Sequence, residues 1–138
     1  MGSEVSNMDT KECNMSDSVK QVIIINPETG YSCGRMMAQC AHASILSLLQ
    51  IGKYEKNTFI IPEIDNDMLY WMKVSFTKII YKASSEKELY DIKQKAEENM
   101  IPVYPMIEDD GVLTAFAFKP SKISFLSSFL ESYKLRLA

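Results

Sequence analysis

Histidine is nearly absent from this chain: His42 is the only one among 138 residues, so any imidazole chemistry must pass through it. Cysteine is almost as scarce. Cys13, Cys33 and Cys40 are odd in number, and their spacings fit neither a disulfide framework nor a zinc site. No apolar run approaches the roughly 20 residues that a membrane-spanning helix needs, which points to a water-soluble protein. A secretory signal pattern is also missing, so a reducing cytoplasm is the expected compartment. The chain is long enough to bury a core without metals or disulfides, and one domain is expected.

Charge of neither sign is in large excess, the formal net value being −3. That excess is local. Glu4, Asp9, Glu12 and Asp17 stand against Lys11 alone before residue 19, and the remainder is formally neutral. This polar segment, residues 1–18, lacks an apolar period and reads as a disordered or loosely attached acidic tail; the domain is expected over 19–138. The opening Met-Gly-Ser-Glu-Val-Ser meets the loose N-myristoylation pattern at Gly2, although a chance match or a cloning scar is the commoner explanation.

The domain alternates strand and helix signals. Val22 to Ile25 is a short apolar run stopped by Asn26 and Pro27, as in a central strand buried on both faces. Gly34 to about Gln50 is rich in Ala, Met and Leu and lacks proline, which predicts a helix ending before Gly52. On it Arg35, Gln39 and His42 form one thin polar stripe between small and apolar flanks, so the helix is expected to be mostly buried. Cys40, on a flank, reads as a space-filling residue. Lys53 to Ile64 reads as a loop, and Asp65 as the cap of a short helix through Trp71 and Met72.

Thr77 to Ala83 follows as a strand, and Ser85 with Glu88 as a capping box for a helix carrying Leu89, Ile92, Ala96 and Met100. Pro102–Ile107 and Thr114–Phe118 are strands joined by a hairpin-type turn at Glu108 to Gly111. Pro120 and Ser121 open a last helix with a stripe of Phe125, Leu126, Phe129, Leu130 and Tyr133. The order implies a three-layer α/β/α domain, a mixed four-stranded sheet with about four helices on its two faces.

The segment Gly34-Arg35-Met36-Met37-Ala38-Gln39-Cys40-Ala41-His42-Ala43 resembles the G-K-x-x-A-Q-x-x-H-A helix of the archaeal and eukaryotic (type 2) peptidyl-tRNA hydrolases. The likeness extends over most of the chain from Lys20 onward, through Trp71, Thr77 to Glu88, Ile101-Pro102, Asp109-Asp110-Gly111, Thr114 to Pro120 and the closing Lys134 to Leu137. It implies hydrolysis of the ester between a peptide and the terminal ribose of tRNA, with no metal or organic cofactor. It marks Arg35, Gln39, His42, Asp109 and Thr114 as catalytic candidates, Asp109 being ambiguous by one position with Glu108 and Asp110. It also implies homodimers in many members, with Trp71 near such a surface.

Two departures accompany the likeness. Arg35 stands where the family has lysine, and arginine cannot act as a base. The loop after the acid is several residues shorter, Val112 and Leu113 leading straight into Thr114. Lys20, Arg35, Lys53, Lys56, Lys119 and Lys122 are candidates for a phosphate-binding patch, Lys20 and Lys119 foremost, although scattered lysines are equally a solvated face. Tyr54 and Phe59 are candidates for stacking on a tRNA end. The rival reading keeps the fold without cleavage, as a tRNA- or protein-binding module; a third is a hydrolase of another ester or amide.

Overall fold

The computed structural model describes residues 18–138, so the acidic tail and Gly2 lie outside the described residues. Strand β1 (Val19–Ile25) is followed by helix α1 (Cys33–Leu49), the short strands β2 (Lys53–Glu55) and β3 (Thr58–Ile60), and helix α2 (Asn66–Tyr70), which runs into a π turn over Trp71–Ser75. Then come β4 (Lys78–Lys82), α3 (Glu86–Glu98), β5 (Val103–Ile107), β6 (Leu113–Phe118), β7 (Ser121–Lys122), α4 (Ile123–Leu130) and β8 (Arg136–Leu137).

The main sheet runs β5-β6-β1-β4-β8, with β7 pairing the start of β1. It is mixed, as expected. β1 is parallel to β4 and antiparallel to β6, and β5 is antiparallel to β6. The expected four strands become six because the two-residue strands β7 and β8 carry no periodic signal of their own; β8 forms by pairing Leu137 and Arg136 with Tyr81 and Lys82.

The apolar run of β1 is central because both its faces are covered. Val22 and Ile24 pack with Leu89, Ile92 and Ala96 of α3, Leu126 and Leu130 of α4, and Phe116 and Phe118. Ile23 and Ile25 pack on the other face with Cys40 and Ala43 of α1 and with Ala115 and Ala117. The alternation Ala115-Phe116-Ala117-Phe118 in β6 therefore puts small residues under α1 and large ones under α3 and α4. Gln21, fully buried on the α1 side, donates to Ser47 Oγ at 2.9 Å and to the Phe118 carbonyl, and accepts from Ser44 Oγ at 2.5 Å. Gln21, Ser44 and Ser47 thus pair with one another and with backbone carbonyls, which offsets the cost of burying them.

Helix α1 departs from the expectation of near-complete burial. Only the line Gln39, Cys40, Ala43, Ser44 and Ser47 is buried, while Met37, Ile45 and Leu49 are more than half exposed. One sheet face supplies cover for one side of a helix, and among the described residues no second layer lies over α1. Cys40 is held among apolar neighbours, and burial pushes its thiol above its ordinary value, away from the reactive thiolate.

Residues 53–64 are not a plain loop. Lys56 and Asn57, both at positive φ (50° and 61°), turn the β2–β3 hairpin, the backbone that a two-residue hairpin requires. At Gly52 the approach is close: an added Cβ would meet the Phe59 ring, which would have to shift, and would lie 3.0 Å from the Ile60 carbonyl oxygen. Asp65 caps α2 as predicted, accepting from Met68 N at 2.8 Å. Trp71 does not sit at a surface: it is 1% exposed, and its Nε1 donates to the Thr77 carbonyl at 2.8 Å. Ser85 caps α3 by accepting from Glu88 N, while the returning Glu88 carboxylate takes the Ser84 amide. Among the described residues no helix is long and apolar enough to cross a membrane.

Candidate active site

At the end of β1 the chain leaves the sheet through Asn26, whose amide donates to the Thr114 carbonyl at 2.9 Å. The Asn26 side chain is buried, and its Nδ2 bridges the Leu113 carbonyl and Glu86. This ties the end of β1 to the start of β6, which runs in the opposite direction. Ser32 then opens α1 as N-cap, accepting from Arg35 N at 3.2 Å. The first turns of α1 and the β5–β6 turn thereby face one another.

Gln39 is the centre of the contact between them. Only 4% exposed, it accepts from Thr114 Oγ1 at 2.7 Å and donates through Nε2 to Glu108 Oε1 at 2.8 Å. The threonine hydroxyl also lies 3.1 Å from the Met106 carbonyl. Because the amide oxygen faces a hydroxyl and the nitrogen a carboxylate, the amide has one favoured orientation. Arg35 approaches the same carboxylate oxygen at 3.8 Å, and its guanidinium lies over the Tyr31 ring at 3.6 Å. Stacking on an aromatic face leaves the planar cation's edge available for an anionic group.

Of the residues singled out from the sequence, Arg35, Gln39 and Thr114 are thus joined through Glu108. His42 and Asp109 are exposed, and neither makes a hydrogen bond or ion pair among the described residues. His42 lies on the Arg35–Gln39 stripe of α1, about one turn beyond Gln39. The tight β5–β6 turn explains which acid meets the helix. Gly111, at φ 86°, donates to the Glu108 carbonyl, Glu108 N donates to Val112 O, and Asp110 accepts from Val112 N. With so short a turn Glu108, at its base, reaches α1, whereas Asp109 and Asp110 occupy the tip. Among the described residues no three His, Cys, Asp or Glu side chains gather as metal ligands do.

A family model described as peptidyl-tRNA hydrolase PTH2 matches residues 19–136. The chain belongs to that family. A peptidyl-tRNA hydrolase of Methanocaldococcus jannaschii is 33% identical over 124 residues, an alignment covering 85% of this chain and 99% of that protein. One from Methanococcus vannielii is 29% identical, covering 84% and 97%. The probable peptidyl-tRNA hydrolase 2 of Dictyostelium discoideum is 27% identical over 84% of this chain, which matches only 54% of that longer protein.

Within this PTH2 domain the basic residues divide by sheet end. Lys20 begins β1 and Lys119 follows β6, so both lie at the end opposite Arg35, roughly 17 Å away along β1 at strand rise. Lys119 is moreover paired with Asp65, and Lys20 faces the β7 connection. Neither joins the Gln39 cluster. Tyr54 and Phe59 are exposed on the β2–β3 hairpin. Tyr31 is the cluster member that the sequence reading did not name, and Glu108 the one it gave as an alternative to Asp109. For Tyr31, an aromatic four residues before Arg35 at a helix start was the available signal.

Proposed function

We propose that this chain hydrolyses the ester of peptidyl-tRNA, releasing peptide and free tRNA, with Arg35, Gln39 and Glu108 at the reaction centre. The observation that carries the reading is the Thr114–Gln39–Glu108 chain of hydrogen bonds beside the Arg35 cation. Ester hydrolysis needs a held water, a charge to meet the developing oxyanion and a proton for the leaving oxygen. Glu108 supplies the base: it takes the proton of the attacking water and returns it to the ribose oxygen. Arg35 supplies fixed positive charge at the carbonyl oxygen. Gln39 holds Glu108, and Thr114 holds Gln39, so Thr114 acts as a positioning residue. The cytoplasm, where charged tRNA is used, is the setting this reading implies.

Single-turnover cleavage of peptidyl-tRNA by Glu108→Gln and Asp109→Asn tests the assignment. Glu108→Gln is expected to slow the chemical step by about 10²- to 10⁴-fold, with Asp109→Asn staying within about tenfold of the parent chain. The reverse order would move the role to the tip of the turn, and no turnover by the parent chain at high enzyme would remove the hydrolase reading.

A further inference from the structure

The end of the sheet that carries the Gln39 cluster also carries a second polar feature, on the far side of β1. A cavity of about 320 Å³ is lined by Pro27, Lys82, Ala83, Ser84, Lys134 and Arg136. Lys82 ends β4 opposite Ile25, the last residue of β1, and Arg136 is its direct cross-strand partner in β8. Like charges placed directly opposite on antiparallel strands repel, so an anion placed between these two exposed cations is favoured. Neither Lys82 nor Arg136 makes an ion pair among the described residues.

Three carboxylates lie on neighbouring segments; each accepts from amide donors, and among the described residues none forms an ion pair with Lys82 or Arg136. Glu28 accepts from Glu86 N at 2.7 Å, Glu86 accepts from Asn26 Nδ2 at 2.8 Å, and Glu88 accepts from the backbone amides of Ser84 and Lys134 at 3.0 Å. Lys134 additionally acts on Glu88 through its charge. Lys82 has the parity of Ile80, which packs on the α1 side of the sheet, so Lys82 and Arg136 rise on the face that also carries Gln39. Across the row Thr114, Asn26, Ala83 the two features are two strand spacings apart, roughly 10 Å. A ligand that reacts beside Arg35 and carries further phosphates can reach both.

We infer that the Lys82, Lys134 and Arg136 pocket is a phosphate-binding subsite for the RNA backbone of the substrate, resting on the proposed peptidyl-tRNA reading. It takes a phosphodiester between the ammonium and guanidinium groups, and Ser84 lies at its wall.

The test uses deacylated tRNA, so that binding is read apart from cleavage. The Lys82→Gln/Arg136→Gln double variant of the full chain is expected to bind at least about tenfold more weakly at low salt, and to lose about 1 from the slope of log affinity against log salt, as for one phosphate. A Lys87→Gln/Lys95→Gln control at exposed positions of α3 is expected to keep the parent affinity and slope. Removing both of these opposed like charges should leave the melting temperature equal or higher, so a binding loss with intact melting reports the pocket and not unfolding. Unchanged slope and affinity in the double variant overturn the subsite while leaving the hydrolase reading intact. Failure of the parent chain either to bind tRNA or to cleave peptidyl-tRNA removes the reading beneath it. If inorganic phosphate raises the melting temperature of the parent chain and not of the variant, yet tRNA binding is unaffected, the pocket takes a free anion and the RNA assignment is overturned.

Discussion

Arg35 stands where the family segment has lysine, and its surroundings say which property of that position survives. The guanidinium rests on Tyr31 and lies 3.8 Å from Glu108, so it offers charge and donors but no base. Charge is then the property required. Arg35→Lys is expected to keep the turnover of peptidyl-tRNA within about tenfold, whereas Arg35→Ala should lower it by about 10²- to 10³-fold, the usual cost of losing an oxyanion-stabilising group. Steady-state kcat for the two variants checks this, and a fall for lysine as deep as for alanine would assign the work to the planar donor edge. At this scale the sequence was partly legible. Arg35, Gln39 and Thr114 could be named because the family resemblance marks them, the first two also lying on one helical stripe. Glu108 could not be separated from Asp109, because the geometry of a turn, and not its composition, decides which side chain returns to the helix.

At the scale of elements, the helices and long strands follow from period and caps. Asp65 and Ser85 each cap the helix expected of them. What escaped was structure held by pairing alone: β2–β3 turns on Lys56 and Asn57 without a glycine, and β7 and β8 are two residues long. Asp65 carries a second task, since it also binds Lys119 and so fastens α2 to the end of β6. Burial would raise its carboxyl, but the Lys119 hydrogen bond, the Met68 amide and the Lys119 charge outweigh it and hold it below the ordinary 3.8. A depressed folded value means that the charged form stabilises the fold above the unfolded pKa, and that the benefit is lost as pH falls through the lower folded value. Asp65→Asn keeps a good cap but not the charge. Urea unfolding should therefore show the parent chain ahead of this variant at neutral pH, by under about 1 kcal/mol for so exposed a pair. The gap should begin to close near pH 3.8 and vanish in stronger acid; a gap independent of pH would exclude the ionic contribution.

Over the whole molecule, strand direction does what composition could not. Lys20 and Lys119 stood foremost among the basic candidates in the sequence, yet β6 runs against β1 and carries Lys119 to the end away from Arg35, while parallel β4 brings Lys82, which the sequence reading passed over, to the near end. The same sheet holds one buried amide whose importance exceeds its hydrogen bonds. Val22 to Ile25 is uniformly apolar, so hydrophobic burial alone would accept β1 shifted by two residues between β4 and β6. Only with Gln21 beneath Ser44 and Ser47 are all three side chains satisfied. Gln21 thus selects one alignment among competitors of similar burial, a role attested for buried polar groups in some other folds. Gln21→Leu is expected to give a folded chain with more than one conformer, visible as doubled amide resonances in β1, β4 and β6. A single sharp set would show that packing suffices. Doubled resonances would mean that the interior of this protein encodes uniqueness through a single glutamine, and that the reaction centre at the end of the same strand inherits its fixed position from that choice.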